Sequence, residues 1–149
     1  MKIAIAADHG GFPLKAELVE LLKQAGHEPI DLGAFECIAG DDYPDYALLV
    51  GKAVQSKQVE RGIVLCGSGV GACIAANKLK DVRAGVCHDT YSAHQGVEHD
   101  DMNVLCLGAR VVGVEPAKEI VLAYVNAKLN PGERYQRRLN KVLKIEEEG

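Results

Sequence analysis

The stretch Gly62-Ile63-Val64-Leu65-Cys66-Gly67-Ser68-Gly69-Val70-Gly71-Ala72-Cys73-Ile74-Ala75-Ala76-Asn77-Lys78 decides how the chain is read. An uncharged apolar run reads as a buried strand. Glycines at 67, 69 and 71 turn the chain, and small residues then open a helix. Glycines in such a turn can adopt positive φ and let a ligand approach the backbone. The N–H groups at the helix start, with the helix dipole, suit an anion. The same positive end would stabilise a thiolate, which makes Cys66 a candidate reactive cysteine. The expectation is that a phosphorylated small molecule is bound and deprotonated here.

Outward from this turn, the pattern repeats. Residues 2–7 read as a strand apolar on both faces, as a central parallel strand requires. The loop Asp8-His9-Gly10-Gly11-Phe12-Pro13 follows it. Leu14, Leu18, Leu21, Leu22 and Ala25 then mark a helix, with Pro13 near its start and Gly26 just past its end. Glu28–Leu32 read as a second strand and residues 33–43 as a loop ending Asp41-Asp42-Tyr43. Pro44 opens a helix to about Ser56, with Ala47, Leu48 and Val54 inward. Residues 59–66 hold the third strand and 83–87 the fourth. A polar helix through Ala93 to about Val97 leads to Glu98-His99-Asp100-Asp101. Val104–Leu107 read as the fifth strand, and Pro116 opens a helix on Ala117, Ile120, Val121 and Tyr124. After Asn130-Pro131-Gly132 comes a charged helical segment, 132–149, with Leu139, Val142, Leu143 and Ile145 as its apolar contacts. It is too polar for the main core and suits a neighbouring subunit.

This alternation predicts one domain over 1–149: a three-layer αβα, Rossmann-like α/β fold on a five-stranded, mostly parallel sheet, plus a C-terminal helical extension. Ligands in such folds bind beyond the carboxyl ends of the strands. Asp8, His9, Cys66, Ser68, His88 and Arg110 all fall there.

Composition excludes several classes. A net charge of -4 gives no general attraction to nucleic acid or an acidic membrane. Aromatics are few and tryptophan is absent, so a base-stacking surface is not expected. No run is long enough to span a bilayer, and no signal peptide is read. The five cysteines form no CxxC pair, which points to reduced thiols and a cytoplasmic location rather than disulfides or zinc. No metal site is expected.

Alternatives stand beside several residues. Cys66 can be a small buried hydrophobe, as Cys73, Cys87 and Cys106 are read to be. His9 and His99 each adjoin an acid that can orient an imidazole; His27, His88 and His94 receive no role. Arg134 and Arg138 share a face of the last helix and with Arg110 could clamp a phosphate. The residues alone favour a solvated charged face for them. Gly67, Gly69 and Ala72 also fit a loose dinucleotide fingerprint, with Asp89 about twenty residues on. That leaves a non-catalytic nucleotide-binding module as a rival.

Seven segments in order resemble the ribose-5-phosphate isomerase B family and its galactose and allose phosphate relatives. They are Asp8-His9-Gly10-Gly11-Phe12; Asp42-Tyr43-Pro44; Cys66–Gly71; Ala75-Ala76-Asn77-Lys78; His99 with Asn103-Val104-Leu105; Gly108-Ala109-Arg110-Val111-Val112-Gly113; and Arg134 with Arg138. The resemblance implies aldose–ketose isomerisation of a sugar phosphate through a cis-enediolate, without metal or organic cofactor. Ribose 5-phosphate is the first expectation; a tetrose or hexose phosphate is the alternative. It implies Cys66 as base, because Ala72 stands where another branch has glutamate. It implies Ser68 beside the reacting carbons, His99 as ring opener, and the loop Gly67, Gly69, Val70 and Gly71 for the enediolate oxygen. Asp8 and Tyr43 would bind the sugar, and His9, Arg110, Arg134 and Arg138 the phosphate. A homodimer or dimer of dimers with shared sites is implied as well. Asp100 departs from the usual asparagine, which could donate a hydrogen bond where an ionised aspartate cannot. Tyr135 departs from the usual histidine.

Overall fold

A computed structural model describes residues 1–149. The strands are β1 (Lys2–Ala7), β2 (Glu28–Asp31), β3 (Arg61–Cys66), β4 (Ala84–Val86) and β5 (Val104–Gly108). The helices are α1 (Phe12–Gln24), α2 (Tyr43–Gln55), α3 (Val70–Ala76), α4 (Thr90–Asp100), α5 (Val114–Asn126) and α6 (Glu133–Glu148). Strand order is β2-β1-β3-β5-β4, with every pair parallel. The expected α/β fold is therefore present.

Alternation along the central strands builds two cores. Ile3, Ile5, Ile63, Leu65, Leu105 and Leu107 face α1, α4 and α5, where they meet Leu14, Leu18, Leu22, Val97, Ile120 and Tyr124. Ala4, Ala6, Val64, Cys66, Val104 and Cys106 face α2 and α3, against Ala47, Val50, Val54, Ala72 and Ala76. Each large side chain among them contributes about 1.5–3 kcal/mol by leaving water.

Four expectations need correction. The fourth strand is shorter, Ala84–Val86. Leu48 of α2 is exposed, because the inward stripe is Ala47, Val50, Gly51 and Val54, and Leu48 lies about 100° from its centre line. Helix α4 extends to Asp100, so His99 and Asp100 sit in its last turn rather than in a loop. Asp89 starts that helix by accepting from the Ser92 N–H, and Asp101 ends it with φ 51°, held by the Arg83 guanidinium at 2.9 Å. On α6 only Leu139 is buried; Val142 and Ile145 face outward.

The side on which successive strands are added to the sheet switches between β1 and β3. Loops leaving these strands diverge there and open a crevice beyond their C-terminal ends.

Candidate active site

Cys66 is the last residue of β3, with its side chain on the α2/α3 face and 4% exposed. Its Sγ accepts from the Gly69 N–H at 3.1 Å. Gly69 itself takes φ 83°, a left-handed conformation natural to glycine, and a Cβ there would crowd the Leu107 backbone. Ser68 is exposed, and its Oγ accepts from the Val70 N–H at 3.2 Å. The amides of Gly67, Ser68 and Gly71 donate to no group of the chain. Three N–H groups of this turn therefore have no acceptor within the chain, and free backbone amides suit an anionic oxygen.

The walls come from neighbouring strand ends. Asp8 is buried; its Oδ1 accepts from the Gly11 N–H at 3.0 Å, which shapes the β1–α1 loop. Arg110 leaves β5 across the turn, with its N–H on the Gly67 carbonyl at 3.1 Å and its guanidinium running past Gly67. His9 and Arg110 line one cavity of about 300 Å³ with Gly10 and Ala109. Tyr43 opens α2 and lays its ring against Gly71. A larger hollow of about 670 Å³ lies at the far end of the sheet, around Arg61, Arg83 and Asp101. It has no nucleophile or strand-end loop, so size does not choose the site.

Asp8, His9, Tyr43, Cys66, Gly67, Ser68, Gly69, Val70, Gly71 and Arg110 are thus brought together by β1, β3, β5 and α2. His99, Asp100, Arg134 and Arg138 are not. In the sheet register Gly62 pairs with Val104 and Cys66 with Gly108. His99 precedes β5 by one turn, so it lies at the opposite end, on the order of 13 Å or more from Cys66 at strand rise. The His99 ring stacks on Tyr135 at 4.6 Å, and the Arg134 guanidinium lies over the same tyrosine. Helix α6 starts there, with the Asn130 N–H on the Glu98 carbonyl. Arg134 and Arg138 are exposed and in no ion pair, whereas Arg137 binds Glu133 at 2.9 Å. Within one protomer the candidate residues therefore fall into two groups at opposite ends of the sheet.

Local chemistry explains three residues the sequence left without a role. His88 accepts the Gly108 N–H on Nε2 at 2.9 Å and so pins β5 where it meets the turn. Asp41 and Tyr46 hold His9. The Asp41 Oδ1 accepts from the His9 backbone N–H and contacts Nδ1 at 2.7 Å, and its Oδ2 accepts from the Tyr46 hydroxyl at 2.8 Å. Burial alone would raise the Asp41 carboxyl, but the His9 and Tyr46 donors together hold it below its ordinary value. Asp8, His9 and Asp41 have ligand-type atoms within 4.8 Å of one another. These atoms are already committed to Gly11, to each other and to Tyr46.

Among the other thiols, Cys73 is partly exposed rather than the buried hydrophobe expected, and it is lowered to about 7, first by its hydrogen bond with Cys106. Burial pushes Cys87 up to about 11. Cys106 is pushed well up, first by its hydrogen bond with Cys73 and then by burial. The nucleotide rival loses its acid, because Asp89 caps α4 and β4 is separated from β3 by β5.

Comparison with known proteins agrees with this architecture. A sequence profile described as Ribose/Galactose Isomerase matches residues 3–142. Ribose-5-phosphate isomerase B of Escherichia coli is 47% identical over 146 residues, 98% of this chain and 97% of that one. D-erythrulose-4-phosphate isomerase of Pectobacterium atrosepticum is 40% identical over 132 residues, 89% of this chain and 87% of that one. The structure of Clostridium thermocellum ribose-5-phosphate isomerase B superposes with a TM-score of 0.95 at 45% identity, covering 99% of each chain. No helix is long and apolar enough to cross a membrane. With a profile spanning nearly the whole sequence and a fold shared end to end, the chain belongs to the ribose/galactose isomerase family and is an aldose–ketose isomerase of the ribose-5-phosphate isomerase B type.

Proposed function

We propose that the chain interconverts D-ribose 5-phosphate and D-ribulose 5-phosphate through a cis-enediolate, with Cys66 as the base. The observation that carries this is the Cys66 sulfur facing the Gly69 amide at a turn with three unclaimed N–H groups. Isomerisation needs a base that takes the proton from one carbon and returns it to its neighbour. It also needs donors for the oxygen that becomes negative in between. The sulfur and the amides of Gly67, Ser68 and Gly71 supply both. The Ser68 hydroxyl lies beside the reacting carbons. One carbon is oxidised as its neighbour is reduced, so the balance closes without an external oxidant. Holding the phosphate remotely fixes C1 and C2 against the base.

His9 and Arg110 form one half of the phosphate site. The other half, Arg134 and Arg138 with the ring-opening His99, comes from a second copy of the chain. In a two-fold dimer each copy contributes its far end to the other, so both sites are completed at once. Val70 and Ile74 of α3, 52% and 58% exposed beside the turn, support a contact on this side.

A second reading, a tetrose or hexose phosphate, is supported by Asp100. An acceptor-only carboxylate in the sugar pocket would disfavour the hydroxyl pattern that an amide recognises.

The deciding experiment is a panel of D-ribose, D-allose, D-galactose and D-erythrose phosphates in deuterated buffer containing EDTA, reading turnover and exchange of the C2 proton. Ribose 5-phosphate is expected to give the highest kcat/KM. A clear preference for another sugar replaces the substrate but keeps the chemistry. Cys66→Ala is expected to lower kcat by roughly 10²- to 10⁴-fold with phosphate binding largely kept. Turnover like the native protein's in that variant would remove the base.

A further inference from the structure

We propose that Asp41 is the positioning residue that aims His9 at the phosphate, with Tyr46 as the brace that fixes Asp41. The inference rests on the reading above, in which His9 binds the phosphate.

Both carboxylate oxygens of Asp41 are committed, and each commitment restricts the next. Its Oδ1 accepts from the His9 backbone N–H at 2.8 Å and meets Nδ1 of the same residue at 2.7 Å. Backbone and ring of His9 are therefore fixed by one atom. Its Oδ2 is held by the Tyr46 hydroxyl at 2.8 Å, so the carboxylate cannot rotate away. The Asp41 side chain is 10% exposed and that of His9 35%. The acid is the buried member of the pair and the ring reaches outward.

Chemistry then selects the ring atom that works. A carboxylate held as an anion can only accept, so Nδ1 carries a proton and Nε2 is left free. Residue 9 lines the cavity it shares with Arg110. A phosphate oxygen there is met by an Nε2–H when the ring is doubly protonated, and the Asp41 carboxylate neutralises that charge. Asp41 thus acts through His9 and needs no contact with substrate. A plain tether between the 33–42 loop and the β1–α1 loop would need only the backbone contact. The ring contact and the Tyr46 brace exceed what such a tether requires.

The test is a double-mutant cycle read as inhibition by inorganic phosphate and as KM against kcat. Asp41→Asn keeps an acceptor for the loop but removes the charge. It is expected to weaken inorganic phosphate roughly tenfold, as loss of one hydrogen bond to a charged group does, and to raise KM more than it lowers kcat. Tyr46→Phe should shift both in the same direction by less, and Asp41→Glu should recover part of the loss. In a His9→Gln background, Asp41→Asn is expected to have no further effect on phosphate. An equal loss in that background would overturn the positioning role and leave a structural tether. If His9→Gln itself leaves phosphate binding unchanged, the parent assignment of His9 fails instead. Should Asp41→Asn fold poorly, Tyr46→Phe in the same two backgrounds decides the matter.

Discussion

Tyr46 carries a signature of its hydrogen bond that can be read without substrate. Its phenol is pushed up to about 12, first by donating to Asp41 and then by burial. Unfolded tyrosine titrates near 10. The folded value is the higher, so Tyr46 contributes stability that is complete below about pH 10 and is lost as pH rises through about 12. At the acid end the sign reverses for Asp41, whose carboxyl is lowered. Its contribution is complete above its unfolded value and is lost as pH falls through the folded one. Alkaline titration of phenolate absorbance across the five tyrosines should show one delayed group that moves back toward about 10 in Asp41→Asn. Tyr124, raised by burial in the core, stays delayed in both proteins and serves as the reference. Unmoved titration would mean that Tyr46 and Asp41 are not bonded in solution. Neither residue was legible as a site residue in the sequence, where Asp41 reads only as part of a loop. Its partner lies 32 residues away, and no local spacing encodes a contact made by the meeting of two loops. Asp8, His9 and Cys66 were legible as candidates because they stand next to strand ends, which is a local signal.

Among the elements, legibility follows how strongly burial repeats. The central strands and α1, α2 and α5 bury regular stripes, and their periods survive in the sequence. Helix α4 does not. Only Ala93 and Val97 are buried on it, and its ends are set by Asp89 and Asp101 rather than by glycine or proline. The apolar residues of α6 misled for a related reason: three-residue spacing marks a helix but cannot say that only Leu139 is buried within the chain. The start of β3 shows how two elements lock. The Arg61 guanidinium donates to the carbonyls of Tyr124 and Ala127, both at 2.6 Å, and lies over the Tyr124 ring. The C-terminal end of α5, which has no glycine cap, is closed in this way. Arg61→Ala leaves these carbonyls without their donor and is expected to cost about 1–3 kcal/mol in urea unfolding. Arg61→Lys should recover little, because one ammonium lacks the planar fork that reaches both oxygens. Full recovery by lysine would show that charge alone closes the helix.

At the scale of the molecule, the order of motifs in the sequence concealed their separation in space. His9, Cys66, His99, Arg110, Arg134 and Arg138 read as one list, yet the parallel register puts Cys66 and His99 at opposite ends of β3 and β5. A parallel strand must return through a helix, so α4 carries His99 away from the end where its own loop began. Trans sharing makes a prediction that sharing within one protomer cannot. Cys66→Ala and His99→Asn are each expected to be nearly inactive alone. When the two chains are co-expressed and pair at random, half the dimers are mixed, and each mixed dimer holds one site with both native residues and one with neither. Activity should return to about a quarter of the native level by the two-fold geometry. If both residues came from the same protomer, every site in the mixed dimer would keep one defect and no activity would return. Arg134→Ala in place of His99→Asn repeats the test without disturbing the His99–Tyr135 stack, and the same recovery is expected because both residues sit at the same end.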